Sequence, residues 1–219
     1  LPEALMKWRV KKLKELGCNA YRSSHNPMTP ALLDICDREG ILVIDENRLS
    51  GINSEHLRLL ERMIKRDRNH PSVILWSNGN EEWGIENSVQ GTRIAEAMRE
   101  YTHLLDPTRH STMANAGGSE LIKGLDVVGF NYIVQNDVDN RKNAHPEWKI
   151  VGSEETTGCG TRGVYFDLPE SEGRMKSLNM GTIPGVENVI ERGWKFYAER
   201  PWAAGLFYWT GFDYRGEPN

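Results

Sequence analysis

The chain has 219 residues, a formal net charge of −4, 38% hydrophobic residues and 26% charged residues. This composition is typical of a soluble globular domain rather than a disordered segment, and the length is enough to bury a sizeable core. The 27 basic and 31 acidic residues are mixed along the chain, which argues against a nucleic-acid partner, since such a partner favours a basic stripe. No apolar run approaches the roughly 18 residues that a membrane span needs.

Cysteine usage and the chain ends carry little functional information. Cys18, Cys36 and Cys159 are odd in number and lack CxxC spacing, so we expect neither a disulfide framework nor a zinc site. We expect no cofactor either. The chain begins at Leu1 and ends at Asn219, just after a strand-like run. We interpret it as a piece of a longer protein and assign no localisation from its ends.

Strand-like and helix-like patterns alternate along the chain. Gly17 and Gly40 follow helical spacing and favour helix ends, whereas Thr29 before Pro30 favours a helix start, as does Ser54 as a cap. In chain order, the predicted elements are a helix over 4–16, a strand over 18–23, a helix over 29–37, a strand over 41–44, a helix over 54–68, a strand over 72–77, a helix over 92–105, strands over 109–114, 126–130 and 149–153, a helix over 187–199 and a strand over 203–209.

This alternation indicates an α/β fold with a parallel sheet, which could be doubly wound or closed into a barrel. Polar residues recur at the carboxyl ends of almost every predicted strand, and a barrel would gather those ends around one mouth. A doubly wound sheet usually has a Gly-rich phosphate loop after its first strand, and none is present. We therefore predict a (β/α)8 TIM barrel over 1–219, with its first strand upstream of the chain. The polar strand-end residues are Arg22, His25, Asp45, Glu46, Asn80, Glu81, Asn131, Tyr132, Glu154, Trp209 and Asp213.

Two strand-like runs each deliver a glutamate to their carboxyl ends. One run covers 72–81 and ends at Glu81, and the other covers 148–154 and ends at Glu154. Two carboxylates on separate strands of one barrel suit glycoside hydrolysis, in which one donates a proton and the other attacks the sugar or activates water. Glu82 and Glu155 are the neighbouring alternatives, and because adjacent strand residues face opposite ways, at most one of each pair should face the pocket.

Several stretches resemble the catalytic barrel of glycoside hydrolase family 2, which includes β-galactosidases, β-glucuronidases and β-mannosidases. They are LGCNAYRSSHNP at 16–27, CDREGILVIDE at 36–46, RNHPSVILWS at 68–77 and GNE at 79–81. The resemblance extends over nearly the whole chain in the family's order. It implies that 1–219 is part of a catalytic barrel whose flanking β-sandwich domains lie outside the chain and could support a homo-oligomer.

The resemblance implies a retaining exo-β-glycosidase acting on a carbohydrate substrate. Glu81 matches the acid/base, Glu154 matches the nucleophile, and Asn80 is similar to the residue that binds the sugar 2-hydroxyl. Donors such as Arg22 and the Tyr132 hydroxyl are expected to keep Glu154 ionised. The residues implied to line the sugar pocket are Arg22, His25, Tyr132 and Trp209.

The segments DENRL at 45–49 and GNEEW at 79–83 are most similar to a β-galactosidase-type branch. The Glu-x-His magnesium pair of some bacterial β-galactosidases is absent after Glu46, so we expect no metal. We do not assign the Asn-x-Lys motif that reads a glucuronate carboxylate in β-glucuronidases, because Asn143 is followed by Ala144 and His145. The alternatives are a β-glucuronidase, β-mannosidase or β-glucosidase of the same family, or a non-catalytic carbohydrate-binding barrel.

Other polar and aromatic residues receive structural or rim roles. We interpret Asp45 and Glu46 as a structural network with an arginine, either Arg22 or Arg48. Trp76 is predicted to lie in the core, and Trp83 to shape a leaving-group subsite. The segment 158–185 has few helical or strand signals, so we interpret it as a loop over the mouth.

Overall fold

The computed structural model describes residues 1–132, 136–156 and 189–212, which form a parallel sheet of seven strands with helices between them. The strands are β1 Ala20–Arg22, β2 Leu42–Glu46, β3 Val73–Asn80, β4 His110–Asn115, β5 Val127–Asn131, β6 Ile150–Glu155 and β7 Ala203–Tyr208. The helices are α1 Glu3–Glu15, α2 Pro30–Glu39, α3 Ser54–Asp67, α4 Val89–Leu105, α5 Val138–Ala144 and α6 Val189–Ala198, with a 3-10 helix at Leu121–Gly124. Among the helices of these ranges, none is both long and apolar enough to cross a membrane.

The sheet curls towards closure. Its strands pair in sequence order from β1 to β7, and every pairing is parallel. A flat sheet with roughly 4.8 Å between neighbouring strands would separate β1 from β6 by about 24 Å. Instead, Nη1 of Arg22 on β1 lies 3.2 Å from the carbonyl oxygen of Ser153 on β6. The fold is therefore a TIM barrel as predicted, not a doubly wound sheet.

All predicted strands and helices are present, with their ends displaced by a few residues, and two short helices were not predicted. These are α5 and the 3-10 helix at Leu121–Gly124. Both are short, so they offer little helical periodicity to detect. The predicted loop over 158–185 lies outside the described residues, as do Cys159 and Asp213.

Helix ends follow local chemistry, with one correction. Gly40 ends α2 in a left-handed conformation, and its N–H bonds the carbonyl of Cys36, as expected for a glycine there. The cap of α3, however, is Asn53 rather than the predicted Ser54. The Asn53 side chain accepts a hydrogen bond of 3.0 Å from the backbone N–H of His56. An Asn side chain caps at least as well as a Ser side chain, so the sequence allowed either residue.

Three strands extend two residues or more beyond their predicted ends towards the mouth. β2 continues to Glu46, β3 to Asn80 and β6 to Glu155. The predicted ends were Ile44, Ser77 and Ser153, whereas the backbone ladder continues under polar side chains that satisfy each other's hydrogen bonds. The sheet itself consequently carries Glu46 and Glu154, and Glu81 directly follows β3.

The core prediction for Trp76 is confirmed. Its side chain is fully buried, and its indole N–H donates to Oδ2 of Asp106 at 3.0 Å. Burial alone would raise the pKa of Asp106, but bonds from Thr108, Arg109 and Trp76 bring that pKa down to about 2. An ionised carboxylate thus fixes the largest core side chain.

A second buried carboxylate, Asp45, has the opposite character. Its Oδ1 accepts hydrogen bonds from the backbone N–H of Met28 and the hydroxyl of Ser23. Its Oδ2 is buried and accepts no hydrogen bond from a described residue. Burial, together with the fully buried Asp67 carboxylate beside it, raises the pKa of Asp45 to about 7. A proton on Asp45 lets it donate to Asp67, so the two carboxyl groups share one proton.

Asp45→Asn should remove a pH dependence of stability. The folded pKa of about 7 lies above the roughly 3.9 of an unfolded aspartate, so the folded protein holds an extra proton. The extra proton stabilises the folded protein fully below about pH 4, and this stabilisation is lost as the pH rises through about 7. Urea unfolding between pH 5 and 8 should therefore show a decline for the wild type, by about 1 kcal/mol or more, that is largely absent in Asp45→Asn.

Asp106→Asn is the matched control for that experiment. Its depressed pKa contributes stability above about pH 4, which is lost as pH falls through about 2. This variant should lose stability at pH 7 and retain the decline above pH 5. An unchanged decline in Asp45→Asn would contradict the shared proton.

Candidate active site

The mouth of the barrel is organised around the buried side chain of Arg22. Its Nε and Nη2 donate to Oε2 of Glu46 at 2.9 and 2.7 Å. Nη2 also donates to Oδ1 of Asn80 at 2.7 Å, and Nη1 lies 3.2 Å from Oε2 of Glu154. One guanidinium from β1 therefore links β2, β3 and β6. Arginine suits this place because it presents five donors in a fixed plane.

Glu154 lies at the centre of the mouth and is 6% exposed. The Tyr132 hydroxyl donates to its Oε1 at 2.6 Å, and Arg22 bonds its other oxygen. Burial nevertheless raises the pKa of Glu154, although Tyr132 and Arg22 oppose that effect; the nearby Glu81 charge raises the pKa further. Arg22 and Tyr132, the two predicted donors, thus contact Glu154, but they do not fully offset the rise in its pKa that burial causes.

Glu81 and Glu154 are brought together by a shared donor. The side-chain nitrogen of Asn131 lies 3.0 Å from Oε1 of Glu81 and 3.4 Å from Oε2 of Glu154. Those two oxygens can be no farther apart than the sum of these distances. The same nitrogen lies 3.1 Å from Oδ1 of Asn80. An amide nitrogen has only two hydrogens, so these three acceptors crowd one donor.

His25 and Trp209 form one side of the mouth. His25 Nδ1 lies 2.9 Å from Oε1 of Glu46, and its ring stacks on Trp209 with centroids 4.9 Å apart. These residues line a cavity of about 430 Å³ together with Arg22 and Ser153. The cavity lies between β1 and β7. An indole beside a polar cluster is suited to stacking on the apolar face of a sugar ring.

The neighbouring glutamates point away from this cluster. Glu82 accepts a hydrogen bond from the backbone N–H of Ser50, and Glu155 accepts one of 2.8 Å from the hydroxyl of Tyr197 on α6. Alternation along β6 thus places Glu154 at the mouth and Glu155 away from it. Glu81 and Glu82 lie past the end of β3, where strand alternation no longer applies.

Two candidate residues adopt a left-handed backbone. Glu81 follows β3 with φ of 51°, and Tyr132 follows β5 with φ of 60°. Non-glycine residues in this region cost on the order of 1–3 kcal/mol, and such strain is concentrated at functional sites. In each case the turn brings the side chain to the carboxylate cluster. Trp83 lies beside Glu81 and is 70% exposed. Its indole N–H lies 3.2 Å from Oε2 of Glu81.

The expected structural network holds for Glu46 but not for Asp45. Burial would raise the pKa of Glu46, but Arg22, His25 and the hydroxyl of Ser77 bring it below its usual range. Asp45 instead faces Asp67, as described above. Arg48, the other arginine considered, is exposed.

Two groups among the described residues could bring metal-ligand atoms within 4.8 Å of one another, and both lie at the opposite end of the barrel from Glu81 and Glu154. In each group a histidine already bonds an aspartate, at 2.7 Å for His103 with Asp126 and 2.6 Å for His70 with Asp37. Neither group reaches the mouth. The groups are His103, His110 and Asp126, and Asp34, Asp37 and His70.

The structure brings all seven predicted site residues into one connected cluster at the mouth. The sequence analysis assigned no functional role to Asn131, which contacts both glutamates. It assigned Glu46 a structural role only. Asn131 could have been found, because it ends a predicted strand beside Tyr132. The seven predicted residues are Arg22, His25, Asn80, Glu81, Tyr132, Glu154 and Trp209.

Comparison with known proteins agrees with this geometry. The family model for glycosyl hydrolases family 2, TIM barrel domain, matches residues 1–58 and 52–154. The chain belongs to this family. Its members among the curated relatives are longer proteins, and the chain spans less than a third of the length of the first ones it matches.

Individual relatives carry different activities in their names. A β-galactosidase from Bacteroides ovatus, BoGH2A, is 31% identical over 94% of this chain and 31% of its own length. A β-glucuronidase from Sus scrofa is 35% identical over 53% of this chain and 19% of its own length. The crystal structure of a β-glycosidase from Bacteroides vulgatus has a TM-score of 0.77 and 27% identity, covering 95% of this chain and 32% of that one. These similarities support a glycoside hydrolase without selecting its sugar.

Loss of Arg22 should be strongly destabilising, and the effect should depend on Glu46. The side chains of this pair are 4% and 0% exposed, so Arg22→Met leaves the buried Glu46 carboxylate without its arginine, with only His25 and Ser77 as described partners. We expect the free energy of unfolding in urea to fall by about 3–5 kcal/mol. Adding Glu46→Gln removes the orphaned charge and should restore part of the loss. Strictly additive effects of the two substitutions would contradict this coupling.

Proposed function

We propose that this chain carries the catalytic centre of a retaining exo-β-glycosidase that hydrolyses terminal β-galactosides, with Glu81 as acid/base and Glu154 as nucleophile. The observation that carries the proposal is the contact of both carboxylates with the Asn131 amide nitrogen at the barrel mouth. Family membership supports the reaction class.

The spacing of the carboxylates supports retention. Retaining enzymes keep their two carboxyl groups about 5–5.5 Å apart, whereas inverting enzymes need roughly 6.5–9.5 Å to admit a water molecule. The two distances from Asn131, 3.0 and 3.4 Å, keep one oxygen of each carboxylate closer to the other than the lower end of the inverting range. This closeness supports direct attack of Glu154 on the anomeric carbon.

In the first step, Glu154 attacks the anomeric carbon while Glu81 gives its proton to the glycosidic oxygen, and the aglycone leaves. Esterification removes the negative charge of Glu154, which favours the ionised form of Glu81. Glu81 then takes a proton from water as that water attacks the anomeric carbon and releases Glu154. Asn80, which accepts a hydrogen bond of 2.7 Å from Arg22, is the residue that we propose binds the sugar 2-hydroxyl.

The choice of galactose rests on two observations. The relative from Bacteroides ovatus, named a β-galactosidase, aligns with 94% of this chain. The one Asn-x-Lys stretch of the sequence, at 140–142, lies on α5, and its Lys142 donates to the backbone carbonyls of Pro146 and Trp148, so it gives no support to a β-glucuronidase. Nitrophenyl β-galactoside should accordingly be turned over with a higher kcat/KM than the matching glucuronide, mannoside and glucoside.

Substitution of the two glutamates should give different defects. Glu154→Gln should lose nearly all turnover with every substrate. Glu81→Ala should lose about 10²–10⁴-fold with poor leaving groups but should retain the first step with an activated aryl glycoside, which needs little proton donation. Added azide should rescue Glu81→Ala to a β-glycosyl azide and Glu154→Gly to an α-glycosyl azide.

The neighbouring glutamates supply the controls. Glu82→Gln and Glu155→Gln change the adjacent position in each strand end, where the carboxylate faces away from the mouth. Both variants should retain activity. An inactive Glu155→Gln with an active Glu154→Gln would reverse the choice within that pair, and no turnover of any glycoside would favour a carbohydrate-binding barrel.

Tyr132→Phe should move the acidic limb of the pH profile. The Tyr132 hydroxyl lowers the pKa of Glu154, so its removal should raise that pKa and shift the acidic limb of kcat/KM to higher pH. Tyr197→Phe is the matched control, because its hydroxyl bonds Glu155 outside the mouth. An unshifted limb in Tyr132→Phe would show that Glu154 is not the group titrating there.

A further inference from the structure

A buried carboxylate that the mechanism above does not use, Glu86, lies between β3 and α4 on the segment that begins at Glu81. It is 3% exposed. It accepts hydrogen bonds from three successive backbone N–H groups, those of Ala116 at 2.9 Å, Gly117 at 3.2 Å and Gly118 at 3.0 Å. Successive amides that converge in this way form a nest for an anion, and here the chain supplies the anion itself.

The backbone around Glu86 is held just as closely. Its carbonyl accepts the N–H of Glu120 at 3.0 Å. A Cβ on Gly118 would overlap the Cβ and carbonyl of Glu86, so only glycine permits this approach. On the other side of the loop, Arg141 donates to the carbonyls of Gly117 at 2.6 Å and Gly118 at 2.8 Å. The nest is therefore fixed from both sides.

The other end of the same segment is fixed at Glu81. The N–H of Glu81 donates to the carbonyl of Ala114 on β4 at 2.8 Å, and its φ is 51°. The segment 81–86 is thus bonded to β4 through Glu81 and to the loop after β4 through Glu86. The backbone strain at Glu81 persists only if its surroundings hold it, and Glu86 is the first buried residue that follows Glu81 along the chain.

Charge links the two carboxylates as well. Burial raises the pKa of Glu86, the three amides oppose this, and the Glu81 charge raises it further. Among the described residues, Glu154 also interacts with Glu81 across the mouth, while Arg141 faces Glu86.

We propose that Glu86 is a positioning residue for Glu81: it fixes the segment that carries the acid/base by filling the amide nest at 116–118. This inference rests on the proposed function of Glu81. It adds a residue that touches neither the sugar nor the reacting atoms but affects the proton-donating step.

Two variants of the intact protein test this positioning. Glu86→Asp shortens the reach into the nest, so it should lower kcat about tenfold for poor leaving groups and leave activated aryl glycosides nearly unaffected. Glu86→Gln keeps the length of the side chain and an oxygen that can accept from the nest, so its leaving-group dependence should stay close to that of the wild type.

Glu120→Gln is the matched control, because its carboxylate pairs with Lys123 on the surface of the same loop. It should leave the leaving-group dependence unchanged. If Glu86→Asp loses activity equally on all substrates, Glu86 is only structural and the inference is overturned. If the wild type shows no turnover, or Glu81→Gln retains the alkaline limb, the proposed function fails and this inference fails with it.

Discussion

The buried guanidinium of Arg22 is the contact on which the rest of the mouth depends. It extends from β1 to Glu46 on β2, to Asn80 on β3 and to Glu154 on β6. Curvature of the sheet brings these acceptors within reach of one side chain. Closure of the barrel and assembly of the carboxylate cluster are therefore the same event. A substitution that loosened either one would loosen the other.

Burial has different effects on the carboxylates that share this environment. Glu46 receives two bonds from Arg22 and one from Ser77, and its pKa falls below the usual range. Glu154 receives fewer compensating contacts and lies near Glu81, so its pKa rises. One carboxylate is thereby committed to holding the arginine, whereas the other retains a capacity to change charge. Environments that separate the titration of neighbouring acids are how a single site assigns them different roles.

Much of the barrel and its mouth could be predicted from the sequence, because the strand patterns indicate a parallel sheet and the polar residues at strand ends indicate where the mouth lies. The apolar run before Glu81 located β3, and alternation limited each glutamate pair to one inward member. What could not be predicted depends on contacts between distant segments. The shared donor Asn131 and the carboxyl pair of Asp45 with Asp67 arise only when separate elements meet in three dimensions.

Covalent trapping of the nucleophile tests the central claim most directly. An activated 2-deoxy-2-fluoro-β-galactoside should esterify the enzyme and then deglycosylate slowly, since the fluorine destabilises the oxocarbenium-like transition states of both steps. Peptide mapping by mass spectrometry should place the sugar on Glu154 with one label per chain. A label on Glu155 or Glu81, or turnover without any covalent adduct, would contradict a retaining mechanism with Glu154 as nucleophile.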